Sequence, residues 1–394
     1  MYPNSENASR FEKPVTAAYY LAYLSEGLVT SIFGASMVYF AGRAGCTVAE
    51  ISSVLILYNL GFIFSSLFLV ALFDRLPGNR MLSAAIFAMI AVLVGLSFTR
   101  VRWLLLVIAG VMGIANAIVE NGPNILFPWM LGEERARRPV NILYLFYSIG
   151  CVITPLLIGI ALKLGNTLTP VFALIGVVIL IPAVMLLRLP GPRNPRTSEE
   201  KGAAPMKNTR GEILAACAFG LMLFFYSSGL STLSNWTATV LIKNGLTDEA
   251  SAAMMASVLW LGSFVGRAAG AWLSGKMDPS KIVTAGLIIV ILDGICMYFC
   301  RGSLFLIGAC VFINGFAGGP VIANTLAVMK QRGLVSALIN GIVLACSQVG
   351  CMVLPTIFGR LYGDSPTSYT PFVTFTLCAS IAQFAVMKIV ERER

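Results

Sequence analysis

Histidine is absent from all 394 residues, and charged residues make up only 12% of them. The first absence removes imidazole as proton carrier and as metal ligand, leaving carboxylates as the groups able to titrate near neutral pH. The second, beside 57% hydrophobic residues and a mean hydropathy of +0.83, excludes a water-soluble globule and implies an all-α, polytopic membrane protein. Cysteine is present in an odd number, nine, and Cys151, Cys217, Cys296, Cys310, Cys346, Cys351 and Cys378 fall inside apolar runs. Neither a disulfide framework nor a metal spacing is visible, and the Cys296 and Cys300 pair lacks further ligands. There is no nucleotide loop and no nucleophile paired with a base, so no enzyme activity, cofactor or metal is expected. Without an ATP-binding module, any work must draw on an ion gradient.

Apolar runs of spanning length occur at about 15–40, 51–73, 81–98, 103–131, 140–162, 170–188, 211–242, 250–274, 282–299, 303–329, 334–358 and 371–388. The first run is longer than a signal-peptide core and lacks a cleavage pattern, so it reads as an uncleaved span. Between the sixth and seventh lies RLPGPRNPRTSEEKGAAPMKNTR, rich in Pro, Gly and charge, which reads as a linker. The expected organisation is a six-helix half over 1–188, a cytoplasmic linker over 189–210 and a second six-helix half over 211–394. The formal net charge of +10 comes from residues scattered between the runs, which argues for orientation rather than nucleic-acid binding. With the N-terminus in the cytoplasm, twenty of the 28 Lys and Arg face inward and seven outward, which predicts both termini inside.

Two carboxylates interrupt the apolar helices: Glu26 within YLAYLSEGLVTSIFGASMVYF and Glu120 within VMGIANAIVENGPNILF. Glu26 lies twelve residues after Pro14 and Glu120 twelve before Gly132. At 1.5 Å per residue each sits about 18 Å into the bilayer, near its midplane. A charge there costs at least ~2.5 kcal/mol, so such residues usually mark an ion path or proton relay. Asn124 follows Glu120 at i+4 and shares its face, with Gly122-Pro123 between them loosening the turn. Asp293, a third intramembrane acid, reads as a packing or helix-to-helix hydrogen-bonding residue.

The halves repeat at an offset near 200. Gly150-Cys151 with Pro155 and Gly159 recurs as Gly350-Cys351 with Pro355 and Gly359, and Asn124-Ile125-Leu126 is matched by Asn324-Thr325-Leu326. Leu60-Gly61 answers Leu261-Gly262, and Arg75 and Arg80 answer Lys276 and Lys281. This six-plus-six parallel repeat with a basic linker resembles the major facilitator superfamily, as does the loop Asp74-Arg75-Leu76-Pro77-Gly78-Asn79-Arg80, in which Val70 replaces the signature glycine. The resemblance implies the major facilitator fold of twelve spans in two pseudo-symmetric halves, with the substrate site between them.

Within that superfamily, Glu26 on the first helix, Glu120 with Asn124 on the fourth, and Asn141 with Phe146 and Gly150 on the fifth are similar to the fucose:proton symporter family. The chain departs from it in having Glu for Asp at 26, Tyr144 and Tyr147 where the fucose carrier has amides, and Leu230 where many relatives have an acid. The resemblance implies proton-coupled symport of a neutral sugar or polyol by alternating access. Glu120 would take the substrate-linked proton, and Glu26 would gate.

Lys and Arg are lacking at the midplane except for Arg267, read as half of a structural pair, so the cargo is expected to be neutral or cationic. Polyols need amides and hydroxyls beside aromatic faces. Asn121, Asn124, Asn141, Tyr144 and Tyr147 in the first half, with Asn235, Trp236, Asn324 and Gln348 in the second, are the candidates. Asp74, Arg75, Arg80, Arg267 and Pro320 are expected to gate or brace. The alternative is a proton-driven exporter of cationic or amphipathic compounds, in which the same carboxylates act as counter-ions. The expected partners are a small molecule, a proton or sodium, and the lipid of a bacterial inner membrane; a monomer should suffice.

Overall fold

A backbone in lipid must satisfy its own hydrogen bonds, so an apolar chain of this kind has only helices or a closed barrel open to it. The computed structural model describes residues 5–165, 167–192, 209–334 and 337–392, and among these every regular element is helical. The linker expected over 189–210 lies for the most part outside the described residues. Among the described residues, twelve helical segments are long and apolar enough to span a membrane, from Phe11–Ala44 to Tyr369–Val390. Large apolar side chains stand exposed around them, Phe299 at 84%, Phe305 at 82% and Trp103 at 73%, as expected where the surrounding solvent is lipid. The protein is an integral, multi-pass membrane protein.

In chain order the elements are α1 (Ser5–Thr30), α2 (Ile32–Ala44), α3 (Val48–Ile51), α4 (Ser53–Phe64), α5 (Gly78–Phe98), α6 (Arg102–Leu131), α7 (Glu133–Lys163) and α8 (Thr169–Arg188). They continue with α9 (Arg210–Lys243), α10 (Glu249–Leu273), α11 (Pro279–Met297), α12 (Leu304–Gly318), α13 (Val321–Gln331), α14 (Ala337–Tyr362) and α15 (Tyr369–Arg392). Boundaries follow ordinary capping chemistry. Thr209 and Glu212 form a reciprocal capping box at the start of α9, and Asp278 with Pro279 opens α11. Gly132, at φ +79°, ends α6 in a conformation that favours glycine.

Three expected single runs are interrupted. The first span breaks at Ser31, and Ser36 in α2 has φ −129°; no proline marks either break, and Gly34 lies between them. The second span leaves α-helix geometry after Phe64, passing through a π-turn (Ser65–Leu69) and a 3-10 turn (Val70–Asp74). The tenth divides into α12 and α13 at Gly319-Pro320, where Pro320 has no N–H to continue the ladder. By contrast α6 runs unbroken through Pro123.

Close packing divides the chain into two units: Met1–Ile32 with Leu57–Leu157 and Ala161–Ala204, and Phe33–Ile56 with Ile158–Ile160 and Pro205–Arg394. The repeat read from sequence appears within each as the same backbone contact. A Cβ on Gly61 would fall on the Gly110 carbonyl, bringing α4 against α6, and one on Gly262 would fall on the Phe312 carbonyl, bringing α10 against α12. Gly150 meets the Leu24 carbonyl of α1, and Gly350 the Phe224 carbonyl of α9. Matching glycines thus let matching helices touch.

In the second unit, Asp364 accepts hydrogen bonds from the backbone N–H of Val48 (3.1 Å) and Ala49 (2.8 Å), and Lys243 Nζ lies 3.0 Å away. Partial burial raises its carboxyl pKa, but the Ala49 N–H, Lys243 and the Val48 N–H outweigh this and hold it below the usual range. A depressed carboxyl stabilises the folded state above the unfolded pKa, and the contribution disappears as pH falls through the lower folded value. Thermal unfolding scans should therefore show wild type losing stability from about pH 4 downward. Asp364→Asn should remove that part of the slope. The pair is about one-third exposed, so its effect should stay under ~1 kcal/mol.

Candidate functional site

The antiparallel pair α1 and α6 carries a polar ladder through the first unit. Tyr23, Glu26 and Thr30 fall at i, i+3 and i+7 on one face of α1, and Asn116, Glu120 and Asn124 at i, i+4 and i+8 on one face of α6. At one end the Asn116 amide donates to Thr30 Oγ1 (2.9 Å) and to the Tyr58 hydroxyl (2.7 Å). At the other the Asn124 amide donates to the Tyr23 hydroxyl and to the Glu120 carbonyl (2.8 Å), and Tyr23 donates to that same carbonyl. These two rungs are about 11 Å apart along the helices. Glu26 and Glu120 are the residues of the rung between.

The carboxylates share their surroundings. Glu26 is buried, at 3% exposure, and Glu120 is half-buried. The phenols of Tyr23, Tyr58 and Tyr147 each lie in the electrostatic field of both acids. Tyr144 closes the Asn124 end, its hydroxyl 3.5 Å from the amide and its ring edge-on to Tyr23 at 5.7 Å. Below them Tyr20 stacks on Phe146 at 5.1 Å. The arrangement places two proton-binding groups beside phenols, amides and aromatic faces in one apolar bundle.

Of the first-half residues expected in the site, the structure brings together Glu26, Glu120, Asn124, Tyr144 and Tyr147. Asn121 turns away, donating to Ser66 Oγ (3.3 Å) and the Ala117 carbonyl, and Asn141 is exposed on α7. Asp74, Arg75 and Arg80 are exposed around the 3-10 turn, whereas Asn79 of the same loop is buried and ties the Tyr19 hydroxyl to the carbonyls of Leu189 and Pro190. Sequence reasoning missed Tyr23, Thr30, Tyr58 and Asn116. The Asn-x-x-x-Glu-x-x-x-Asn stripe was nonetheless present to be read.

The second-half candidates lie in the other unit. Asn235 and Asn324 each bond back to their own helix, at Ser231 and Pro320. Trp236 is fully buried, edge-on to Phe358 at 5.5 Å and seated in the notch of Gly359 and Gly363. Gln348 is half-buried beside Ser347, which shares a hydrogen bond with Ser227 (2.6 Å). Arg267 acts on the Tyr226 phenol, and Pro320 fills the space left by Gly270.

A polar ladder in one half of a twice-repeated bundle of lipid-facing helices defines a membrane carrier rather than an enzyme. The chain belongs to the Major Facilitator Superfamily, whose family model matches residues 19–355. It is similar to the sodium-dependent glucose transporter 1A of Mus musculus, 22% identical over 93% of this chain and 94% of the relative. The sodium-dependent glucose transporter 1 of Xenopus laevis is likewise 22% identical, over 91% of this chain and 78% of the relative. Among solved structures, the nucleoside transporter NupG superposes with a TM-score of 0.74 at 12% identity, covering 95% of this chain and 99% of its own. A bacterial homolog of the human lysosomal transporter Spinster does so with a TM-score of 0.72 at 14% identity, covering 100% and 99%. These structures share the fold.

Proposed function

We propose that this transporter takes up a neutral sugar by cation-coupled symport, with the coupling proton carried at Glu26 and Glu120. The observation that carries the reading is the central rung of the ladder, where two carboxylates fall between two amide-phenol rungs. An ionised pair in that position repels itself and loses hydration, so a shared proton stabilises it when the bundle is shut off from water. Flooding the cavity lets the proton leave. Asn124, Tyr23 and Tyr144, at the Glu120 end, supply the hydroxyl and amide groups and the ring faces that a polyol needs. The relatives named as glucose transporters support a sugar as cargo.

In this reading the repeats 1–188 and 211–394 alternate access around the cargo, the functional unit is a monomer, and both termini lie in the cytoplasm of a bacterial inner membrane. Sodium as the coupling ion is a second reading, favoured by the relatives named as sodium-dependent. The test is uptake of labelled neutral hexoses into proteoliposomes under an imposed proton gradient or, separately, a sodium gradient. Concentrative uptake driven by protons alone is the expected result. Uptake driven by sodium alone would replace the coupling ion. No uptake of any sugar, with expulsion of a cationic dye, would overturn the reading in favour of an exporter.

A further inference from the structure

Two thiols of the second unit lie against each other where α11 gives way to α12. Cys300 stands in the turn between the two helices and Cys310 six residues into α12, and their sulfurs are 3.7 Å apart, the separation of unbonded sulfur atoms in contact. Both cysteines are free. A disulfide needs the sulfurs at about 2.05 Å, a closure that rotation about the Cα–Cβ bonds supplies when the backbone can follow. Here one partner sits outside regular helix: the Cys300 N–H donates to the Met297 carbonyl (3.2 Å) and its carbonyl accepts from Ser303 (3.0 Å), which are turn contacts rather than a helical ladder.

The two thiols differ in access. Cys300 is half-buried and Cys310 buried, at 6% exposure. Cys300 Sγ donates to the Cys296 carbonyl at 3.2 Å, which leaves its lone pairs free on the remaining sides. Next to Cys310 is Asp293 of α11, buried at 5% exposure, whose polar side-chain neighbours are the Cys310 thiol and the Asn314 amide. Its Oδ2 has no hydrogen-bond partner among the described residues. An open oxygen therefore stands beside a buried thiol that cannot lose its proton directly to water.

We propose that Cys300 and Cys310 are a redox-active pair, Cys300 attacking and Cys310 resolving, which a small disulfide oxidant closes into a covalent tie between α11 and α12. The Cys300 thiolate attacks one sulfur of the oxidant RSSR, forming Cys300–S–S–R and expelling RS⁻. Cys310 then attacks the Cys300 sulfur, the second RS⁻ leaves, and the Cys310 proton passes to Asp293. Two protein thiols are oxidised and one RSSR is reduced to two thiols. The turn is at the end of α11 remote from Lys276 and Lys281, so with the termini in the cytoplasm it faces the outer, oxidising side. That placement rests on the proposed orientation; the thiol chemistry depends neither on it nor on the cargo.

The test uses the purified, reduced full chain in lipid nanodiscs, incubated with glutathione disulfide at pH 8, quenched with N-ethylmaleimide in denaturant and mapped by peptide mass spectrometry. Wild type should lose two of its nine thiols to a Cys300–Cys310 linked peptide that dithiothreitol reverses. Cys310→Ser should instead retain glutathione on Cys300, and Cys300→Ser should leave Cys310 free to the quench. Asp293→Asn should slow closure at least ~10-fold while the Cys300 adduct accumulates, as expected on losing a general base. If that variant does not elute as a monodisperse species, Asp293→Ser carries the same expectation. Both cysteines labelled by maleimide in oxidised wild type, Cys300 linked to Cys296 instead, or glutathione found on Cys310 in Cys300→Ser would each overturn the pair as assigned. An undiminished closure rate in the Asp293 variants would overturn the role of Asp293. Failure of the hexose uptake experiment would leave these outcomes untouched.

Discussion

Glu120→Gln is expected to abolish accumulation of sugar against its gradient while leaving exchange of labelled for unlabelled sugar across the membrane. The amide has nearly the shape of the protonated acid and keeps the rung intact, because the hydrogen bonds from Asn124 and Tyr23 end on the main-chain carbonyl of residue 120 and not on its side chain. What is lost is the ability to release a proton. Coupling between two ligands is commonly worth 1–3 kcal/mol, so removal of this link should reduce gradient-driven uptake about 100-fold. Counterflow and net uptake measured on the same proteoliposome preparation separate the two activities. Equal loss of both would identify Glu120 as a structural or sugar-binding group and remove it from the proton path.

Gly27→Val should prevent the protein from folding. A Cβ at this position would fall on the carbonyl oxygen of Tyr147 and reach within 3.1 Å of the Cys151 nitrogen, so the obstruction is main chain that no rotamer change can relieve. From the other side Gly150 meets α1 at the Leu24 carbonyl and 2.6 Å from the Leu28 nitrogen. Overpacking ordinarily costs ~1–3 kcal/mol where side chains can yield; against backbone the cost should be ~3 kcal/mol or more, a large part of a domain's total stability. Gly176→Val, where a Cβ would meet nothing within 4 Å, is the matched control. The measurement is the monodisperse fraction of each fluorescently tagged variant by size-exclusion chromatography. A normal peak for Gly27→Val would mean that α1 and α7 can separate at this crossing.

Much of the architecture was legible in the chain because the bilayer writes a simple rule into it. The twelve runs, and the paired glycines at 61 and 262 and at 150 and 350, were visible as length and as repeat, and the repeat reappears as equivalent backbone contacts. The interruptions were less visible. Proline announces the break at 320, whereas those at Ser31 and Ser36 have no proline and only Gly34 between them. The site was half legible. Acids in lipid-facing sequence stand out by their cost, which singles out Glu26 and Glu120 as candidates, and Asn124 follows from spacing. Tyr23, Thr30 and Asn116 are ordinary helix residues until α1 and α6 are set antiparallel.

The glycine crossing has a mechanical corollary. Glu26 is next in the chain to Gly27, where α1 and α7 touch through bare backbone with no compressible side chain between them. A main chain held so closely cannot itself carry the carboxylate toward an aqueous opening. On the proposed proton role of Glu26, any main-chain movement that opens it to water would be a displacement of the whole helix pair and its neighbours. Protonation would then be sensed as a change in load on a rigid body rather than as a local hinge, and softening that mount should uncouple the transporter before it blocks the path of the cargo.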